Sequence, residues 1–382
     1  LEIVVIFQLQ NALRRGCALL LMALALSLTA CGGGGGGNAG GGGGTVPPPP
    51  TNPEPQLPPR EHYALQTTVP AAVYSAVQGQ PVVQPTIRQA NVDRLNAIRA
   101  AMGIGQLRQN AALDQAAQGH ALYLATNWGS LGSASLHAQD PAKPGFTGAD
   151  APARLRAAGY AGSAGETIAG ISGTDPGNVH EGYYTQCVEG LLNAPYHTMQ
   201  LVSRVREIGI GVARLAGGDS YTCVVLTGLP SSATGQLPDV ASAPVVYPHN
   251  GQTDVATRFE GETPDPIPDL SKPRGHFVSV SLKAYETLFI AASDITVERF
   301  VLKDANGNLV PVRLIADAAV RSGSGVTLTP DPNNWGMHAM MFLLPLSPLM
   351  HGHRYTVEFS ARAGSRTLAR TWSFTTTANT AL

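Results

Sequence analysis

The chain has 382 residues, 43% of them hydrophobic and 13% charged, with a formal net charge of −1. That length suits two ordinary domains plus a tail and excludes a single small domain. The near-neutral balance, with no Lys/Arg run longer than Arg14-Arg15, excludes nucleic acid as a partner.

Arg14 and Arg15 precede the apolar segment "ALLLMALALSLTA" (18–30), which has the length of a signal h-region and is short for a membrane span. It ends in Leu28-Thr29-Ala30-Cys31, which resembles the bacterial lipobox, where lipidation of the cysteine thiol precedes cleavage. Residues 1–31 are therefore expected to be a lipoprotein signal, with Cys31 as the acylated N-terminus. An ordinary signal would leave three cysteines in an oxidising compartment; lipidation of Cys31 leaves one pair, Cys187 and Cys223, expected as a structural disulfide. The expected location is the bacterial envelope, anchored by lipid. Gly32 stands where an aspartate would favour inner-membrane retention, so the outer membrane is the expected destination.

Residues 32–84 read as a tether and extended segment, opening with the Gly- and Pro-rich stretch 32–59, which cannot form a core. From about 85 the period becomes helical. Val92, Leu95, Ile98 and Met102 share one face and Gly103 ends the helix. A second helix over 110–127 presents Leu113, Ala117, Ala121 and Leu124. Asp150 and Pro152 mark the start of a third, stopped by Gly159, and a fourth is expected over 178–193, before Pro195. Residues 206–214 and 220–229 then change period and read as a hairpin, giving a layered α+β domain over 85–232.

After the joint at 229–239, short regularly spaced strands are expected: 276–282, 287–291, a hairpin over 299–315 with Asn306-Gly307 as a type I′ turn, then 325–330, 340–346, 354–361 and 368–376. They imply an all-β sandwich over 244–378, immunoglobulin-like in architecture, without a Cys…Trp…Cys core.

Seven stretches in order, "LNAIRAAMGIGQLRQNAALDQAAQGHALYLATN", "LHAQ", "LRAAGY", "AGETIAG", "CVEGLLNAPYHTMQL", "EIGIGVA" and "YTCVVLTG", make residues 88–230 resemble the CAP superfamily of cysteine-rich secretory proteins, antigen 5 and pathogenesis-related 1 proteins, closest to its bacterial members. The resemblance implies an α/β/α sandwich and a ligand cleft where His137, Glu166 and His197 converge. A second glutamate found in animal and plant members has no counterpart here: its positions, aligned through Pro195 and His197, are Leu191 and Ala194, and neither Glu189 nor Glu181 is a clear substitute.

Three readings of that cleft stay open. His137 and His197, with the carboxylate, could hold Zn²⁺ or another divalent metal. The same groups could serve acid/base hydrolysis of cell-wall or protein substrates, although "AGSAG" (161–165) lacks the first glycine of a nucleophile elbow and Ser135 is the nearest hydroxyl. Or they could form a satisfied polar network. The expected function is ligand binding in the envelope without catalysis. Gly209 and Gly211 are read as close-packing residues, since no helix follows them as a dinucleotide fold requires. The C-terminal strands resemble bacterial immunoglobulin-like modules through "VVYPHNGQTDV", "LPLSPLMHGHRYTVEFSA" and "WSFTTT", which implies a spacer or adhesive role.

Overall fold

The computed structural model describes residues 4–5, 85–131, 135–172, 186–215, 220–233, 244–282, 290–335 and 340–378. Cys31, the tether, Glu181 and most of the predicted strand 287–291 lie outside them.

Helix α1 (Pro85–Ala101) buries Val92, Leu95 and Ile98 as one stripe, and Gly103, at φ 77°, turns the chain away in a backbone conformation costly for other residues. Helix α2 (Ala111–Asn127) starts where the Asn110 side chain accepts the N–H groups of Ala112 and Leu113; the predicted face of Leu113, Ala117, Ala121 and Leu124 is fully buried. Asp150 caps α3 (Ala151–Ala157) by accepting the Ala153 N–H. The described part of the fourth predicted helix is α4 (Gln186–Leu192). Pro195 then opens a separate helix, α5 (Pro195–Leu201), which the periodicity did not announce; proline fits the first helical turn, where its missing N–H is no loss.

The expected hairpin is present as antiparallel β4 (Glu207–Arg214) and β5 (Ser220–Pro230). β3 (Gly162–Ser172), which contains Glu166, pairs antiparallel with β5. Short β2 (Arg108–Gln109) and β1 (Val4–Val5) complete a sheet in the order β1-β3-β5-β4-β2. Alternation sends Ile208, Ile210, Cys223 and Val225 to a core with α1, α4 and α5, and Val224, Leu226 and Ile168 to one with α2, which gives three α/β/α layers. The Cys187–Cys223 disulfide, with Cα atoms 5.8 Å apart, ties α4 to β5 and so one helical layer to the sheet.

Gly209 and Gly211 place α2 directly on β4. A Cβ at Gly211 would stand 2.2 Å from the carbonyl carbon of Ala117, a contact that backbone cannot yield cheaply. Gly211→Ala is expected to cost about 1–3 kcal/mol or more in urea unfolding, through overpacking. Gly129→Ala, with nothing within 4 Å, is the control; equal effects at the two sites would remove the packing explanation.

In the second half, β10 (Ile295–Lys303), β12 (Arg321–Ser322), β15 (Arg354–Ala363) and β16 (Arg366–Thr375) form a sheet in the order β12-β10-β15-β16. β6 (Val245–Tyr247), β9 (Val278–Ser281), β11 (Val312–Ala316), β13 (Leu328–Pro330) and β14 (Met340–Pro345) form another, in the order β13-β11-β14-β9-β6. Val278, Val280 and Leu343 of the second sheet share a core with Phe300, Val357 and Trp372 of the first. A small ribbon of β7 (Arg258–Phe259) and β8 (Arg274–Gly275) stands apart. The turn at Asn306-Gly307 differs from expectation. Gly307 alone has positive φ, at 83°, and its N–H donates to Asp304 O, so the turn is centred on Ala305-Asn306 with Gly307 after it, not a type I′ turn.

The two halves are not independent beads. β15 alternates buried and open positions, whereas all six residues of β14 and all four of β9 are buried. The reason is on the far face of that sheet: Phe277, Ile315 and Phe342 join Leu95, Leu191 and Tyr196 in one apolar core that runs across both halves.

Candidate functional site

Glu166 sits on β3 opposite Leu226, on the face that looks toward α2 and α3. Arg154, from the last turn of α3, donates through Nη2 to both carboxylate oxygens, at 2.7 and 2.8 Å, and also to the His137 carbonyl at 3.0 Å. His137 Nδ1 lies 2.9 Å from Glu166 Oε1. Burial alone would raise the Glu166 carboxyl; the His120 and His137 imidazoles and the Arg154 guanidinium outweigh it and bring it down to about 2. The charge inside "AGETIAG" is thus a buried, paired carboxylate.

His120 backs the cluster from α2. Its Nε2, 3.7 Å from Glu166, donates to the Leu136 carbonyl at 2.8 Å, and its Nδ1 accepts from Gln139 Nε2 at 2.8 Å. Those partners fix one neutral tautomer, and burial holds the ring down to about 4. Gln139 in turn accepts the Thr147 N–H at 2.7 Å, so the loop after α2 is organised by the same network. Side-chain exposure is 0% for His120, 1% for Arg154 and 3% for Glu166, but 9% for His137. His137 is where this cluster meets the surface.

His197 stands elsewhere. It lies on α5, in the helical layer against the opposite face of the sheet, and its Nδ1 is 2.7 Å from Glu262 Oε2, supplied by the second half of the chain. Glu262 Oε1 accepts the Tyr196 N–H at 3.0 Å. The N-cap of α5 is Ala194, which has no side chain to offer, and Glu262 takes over the capping. Burial pushes the Glu262 carboxyl well above its ordinary range, against the pull of the Tyr196 and His197 backbone N–H groups. The Tyr196 hydroxyl donates to Asp331 and accepts from Asn333 Nδ2, which extends the same junction.

The structure therefore joins His137 to Glu166 and does not bring His197 to them. The physical reason is strand alternation: Glu166 and Ile168 point toward α2, while Gly165, on the other face, faces Gln200 of α5. Glu189 is likewise away, paired with Arg94 at 2.8 Å. Ser135 Oγ accepts the His137 backbone N–H at 3.1 Å and serves the turn. Sequence reading missed Arg154 and Glu262 altogether.

A metal does not fit the expected trio. Among the described residues no three His, Cys, Asp or Glu side chains lie close enough to hold an ion. Both Glu166 oxygens are already engaged by a guanidinium, whose positive charge opposes a second cation. What the cluster offers chemically is an imidazole oriented by a carboxylate that is itself held rigid.

No curated protein matches the chain. Residues 92–226 match the model of the CAP family, described as the cysteine-rich secretory protein family, and this stretch is the chain's CAP domain.

Proposed function

We propose that the protein is an exported, lipid-anchored protein of the bacterial envelope, in the outer membrane, whose CAP domain binds an envelope ligand at His137 without catalysis. One observation carries the binding reading. Glu166 is spent on Arg154 and His137, which turns the carboxylate into a strut that presents the least buried imidazole of the cluster. The second half serves as an immunoglobulin-like spacer that holds the CAP domain through the shared core.

The test is co-sedimentation of the full chain, purified in a zwitterionic detergent, with peptidoglycan sacculi. His137→Ala is expected to weaken binding roughly tenfold, the effect of losing one hydrogen-bonded contact, with no soluble fragments released by either protein. Turnover of peptidoglycan, a peptide or an ester that His137→Ala abolishes would replace this reading with a hydrolase. Unchanged binding in His137→Ala, with loss on substituting the open face of β15, would make the chain an adhesin. Cys31→Ser is expected to release the signal-cleaved protein from membranes; continued membrane association would remove the lipid anchor.

A further inference from the structure

A second interaction surface lies on the outer face of the β12-β10-β15-β16 sheet, and it is independent of the His137 reading. Phe300, Leu302, Val357, Phe359 and Trp372 turn into the core, so alternation turns the residues between them outward. Strand pairing aligns these in rows. Lys303 stands beside Thr356, Arg299 beside Ser360, and Arg362 beside Thr296, which Arg321 of β12 flanks in turn. Arg354 closes the other end of the face, opposite Thr375.

Five cations therefore share this face with two carboxylates, Glu298 and Glu358, in a chain whose formal net charge is −1. Glu358 is divided between Arg299 and Lys303, each at 2.6 Å, and Glu298 pairs with Arg362 at 2.6 Å. Surface pairs of this kind are worth little, so their cations can turn to a ligand. Arg321 and Arg354 are exposed, and neither meets a carboxylate among the described residues; Arg354 donates to Ser373 Oγ at 2.9 Å. They mark opposite ends of the face. Arg354 and Arg362, which shares the row of Arg321, are separated along β15 by about 27 Å of extended strand. Asp294 and Asp304 lie beyond the ends of β10, and the Asp304 carboxylate is taken by the Asn306 and Asn308 N–H groups.

Charge and shape select the partner. Positive charge at both ends of such a strip attracts an extended polyanion, and the guanidinium fork fits carboxylates and phosphates. Between the ends the surface is small and hydroxylated, with Thr356, Ser360, Thr371 and Ser373 able to donate and to accept. No apolar side chain on it is larger than Val301, so it offers neither the apolar anchor of a protein interface nor a wedge for lipid. The exposed Leu309 and Met350 stand in loops outside it. We propose that this face binds an extended acidic polysaccharide, with Arg321, Arg354 and the cations between them holding its carboxylates or phosphates and the Ser and Thr rows holding its hydroxyls.

The experiment is an equilibrium titration of the full chain, in a zwitterionic detergent, with polygalacturonate and with phosphomannan. At equal anionic charge, poly-L-glutamate and phosphatidylglycerol-doped micelles stand for a protein and a lipid partner, and dextran is the neutral glycan. Saturable binding is expected with at least one acidic polysaccharide, weakened at least about tenfold between about 0.05 and 0.5 M NaCl. Arg321→Gln/Arg354→Gln, which strands no carboxylate, is expected to weaken binding at least about tenfold with an unchanged unfolding midpoint. Ala369→Glu, which sets a negative charge on the open side of β16, is the second variant should that one unfold. Lys143→Gln/Arg156→Gln removes the same charge from the CAP domain and is expected to change binding less than about twofold. The proposal is overturned if neither acidic polysaccharide binds saturably, if polyglutamate or the micelles bind more tightly than both, if dextran binds as well as they do, or if the folded face variants bind no worse than the Lys143/Arg156 control.

Discussion

Replacement of Arg154 by methionine is expected to destabilise the protein by about 3–5 kcal/mol, because it strands a buried carboxylate that had both oxygens paired. The double variant Arg154→Met/Glu166→Met should regain most of that loss, since two apolar side chains of similar volume replace the pair and no charge is left unmatched. Urea unfolding at pH 7 measures both. If the double variant were no more stable than the single one, the cost would lie in packing around α3 and not in the stranded charge.

The same cluster sets an acid limit, and its sign follows from the direction of each shift. Glu166 is held at about 2, below the 4.5 of an exposed glutamate, so its contribution is complete above pH 4.5 and is lost as pH falls toward 2. That loss amounts to about 3 kcal/mol. His120 at about 4 and His276 at about 3 lie below the ordinary 6.5, so each also removes stability as pH falls from 6.5 toward its folded value. Glu166→Gln should flatten the part of the profile below pH 4.5 and leave the histidine part above it. A profile unchanged below pH 4.5 in Glu166→Gln would mean that this carboxylate does not govern acid unfolding.

The second large effect is expected at Glu262, far from α5 in sequence. Glu262→Ala removes the cap of that helix, about 1 kcal/mol, and leaves His197 Nδ1 without its partner, about 1–3 kcal/mol more. The total, about 2–4 kcal/mol, should appear as faster hydrogen exchange in α5 and as a lower midpoint of one common transition. A common transition is expected because Leu95, Tyr196, Phe277 and Phe342 belong to one core. Two separated transitions, with the helical half unaffected by Glu262→Ala, would show that the junction is not energetically coupled.

The two glutamates should also respond differently to glutamine. Glu166 is held in its charged form by a guanidinium, and an amide cannot replace a carboxylate there. Glu262 is driven toward its neutral form by burial, and an amide oxygen can still accept the Tyr196 N–H. Glu166→Gln is therefore expected to cost more than Glu262→Gln. The pH signs are opposite as well: Glu262, raised in the fold, contributes stability fully below pH 4.5 and loses it as pH rises through its folded value.

Local chemistry written in the sequence determined much of this protein. The spacing of Val92, Leu95 and Ile98, the Asp150 cap and the change of period at 206 each act within a few residues, and each is where the sequence placed it. The Cys187–Cys223 bridge followed from counting thiols. "MMFLLP" beside the alternating "RYTVEFSARA" also carried a signal, since an unbroken apolar strand is buried on both faces. What the run could not reveal was that the helices of the CAP domain supply the second cover.

Only the tertiary structure decided the partners of the buried charges. Arg154 and Arg156 are two residues apart, about 200° around a helix, and nothing in "ARLRAAGY" tells which one meets Glu166. Glu262 reaches His197 across 65 residues, from a segment with no periodicity to mark it. Periodicity reports which face of an element is apolar, whereas a buried charge is matched by whichever distant group the docking of layers delivers, and that docking separated His197 from the pair it resembled.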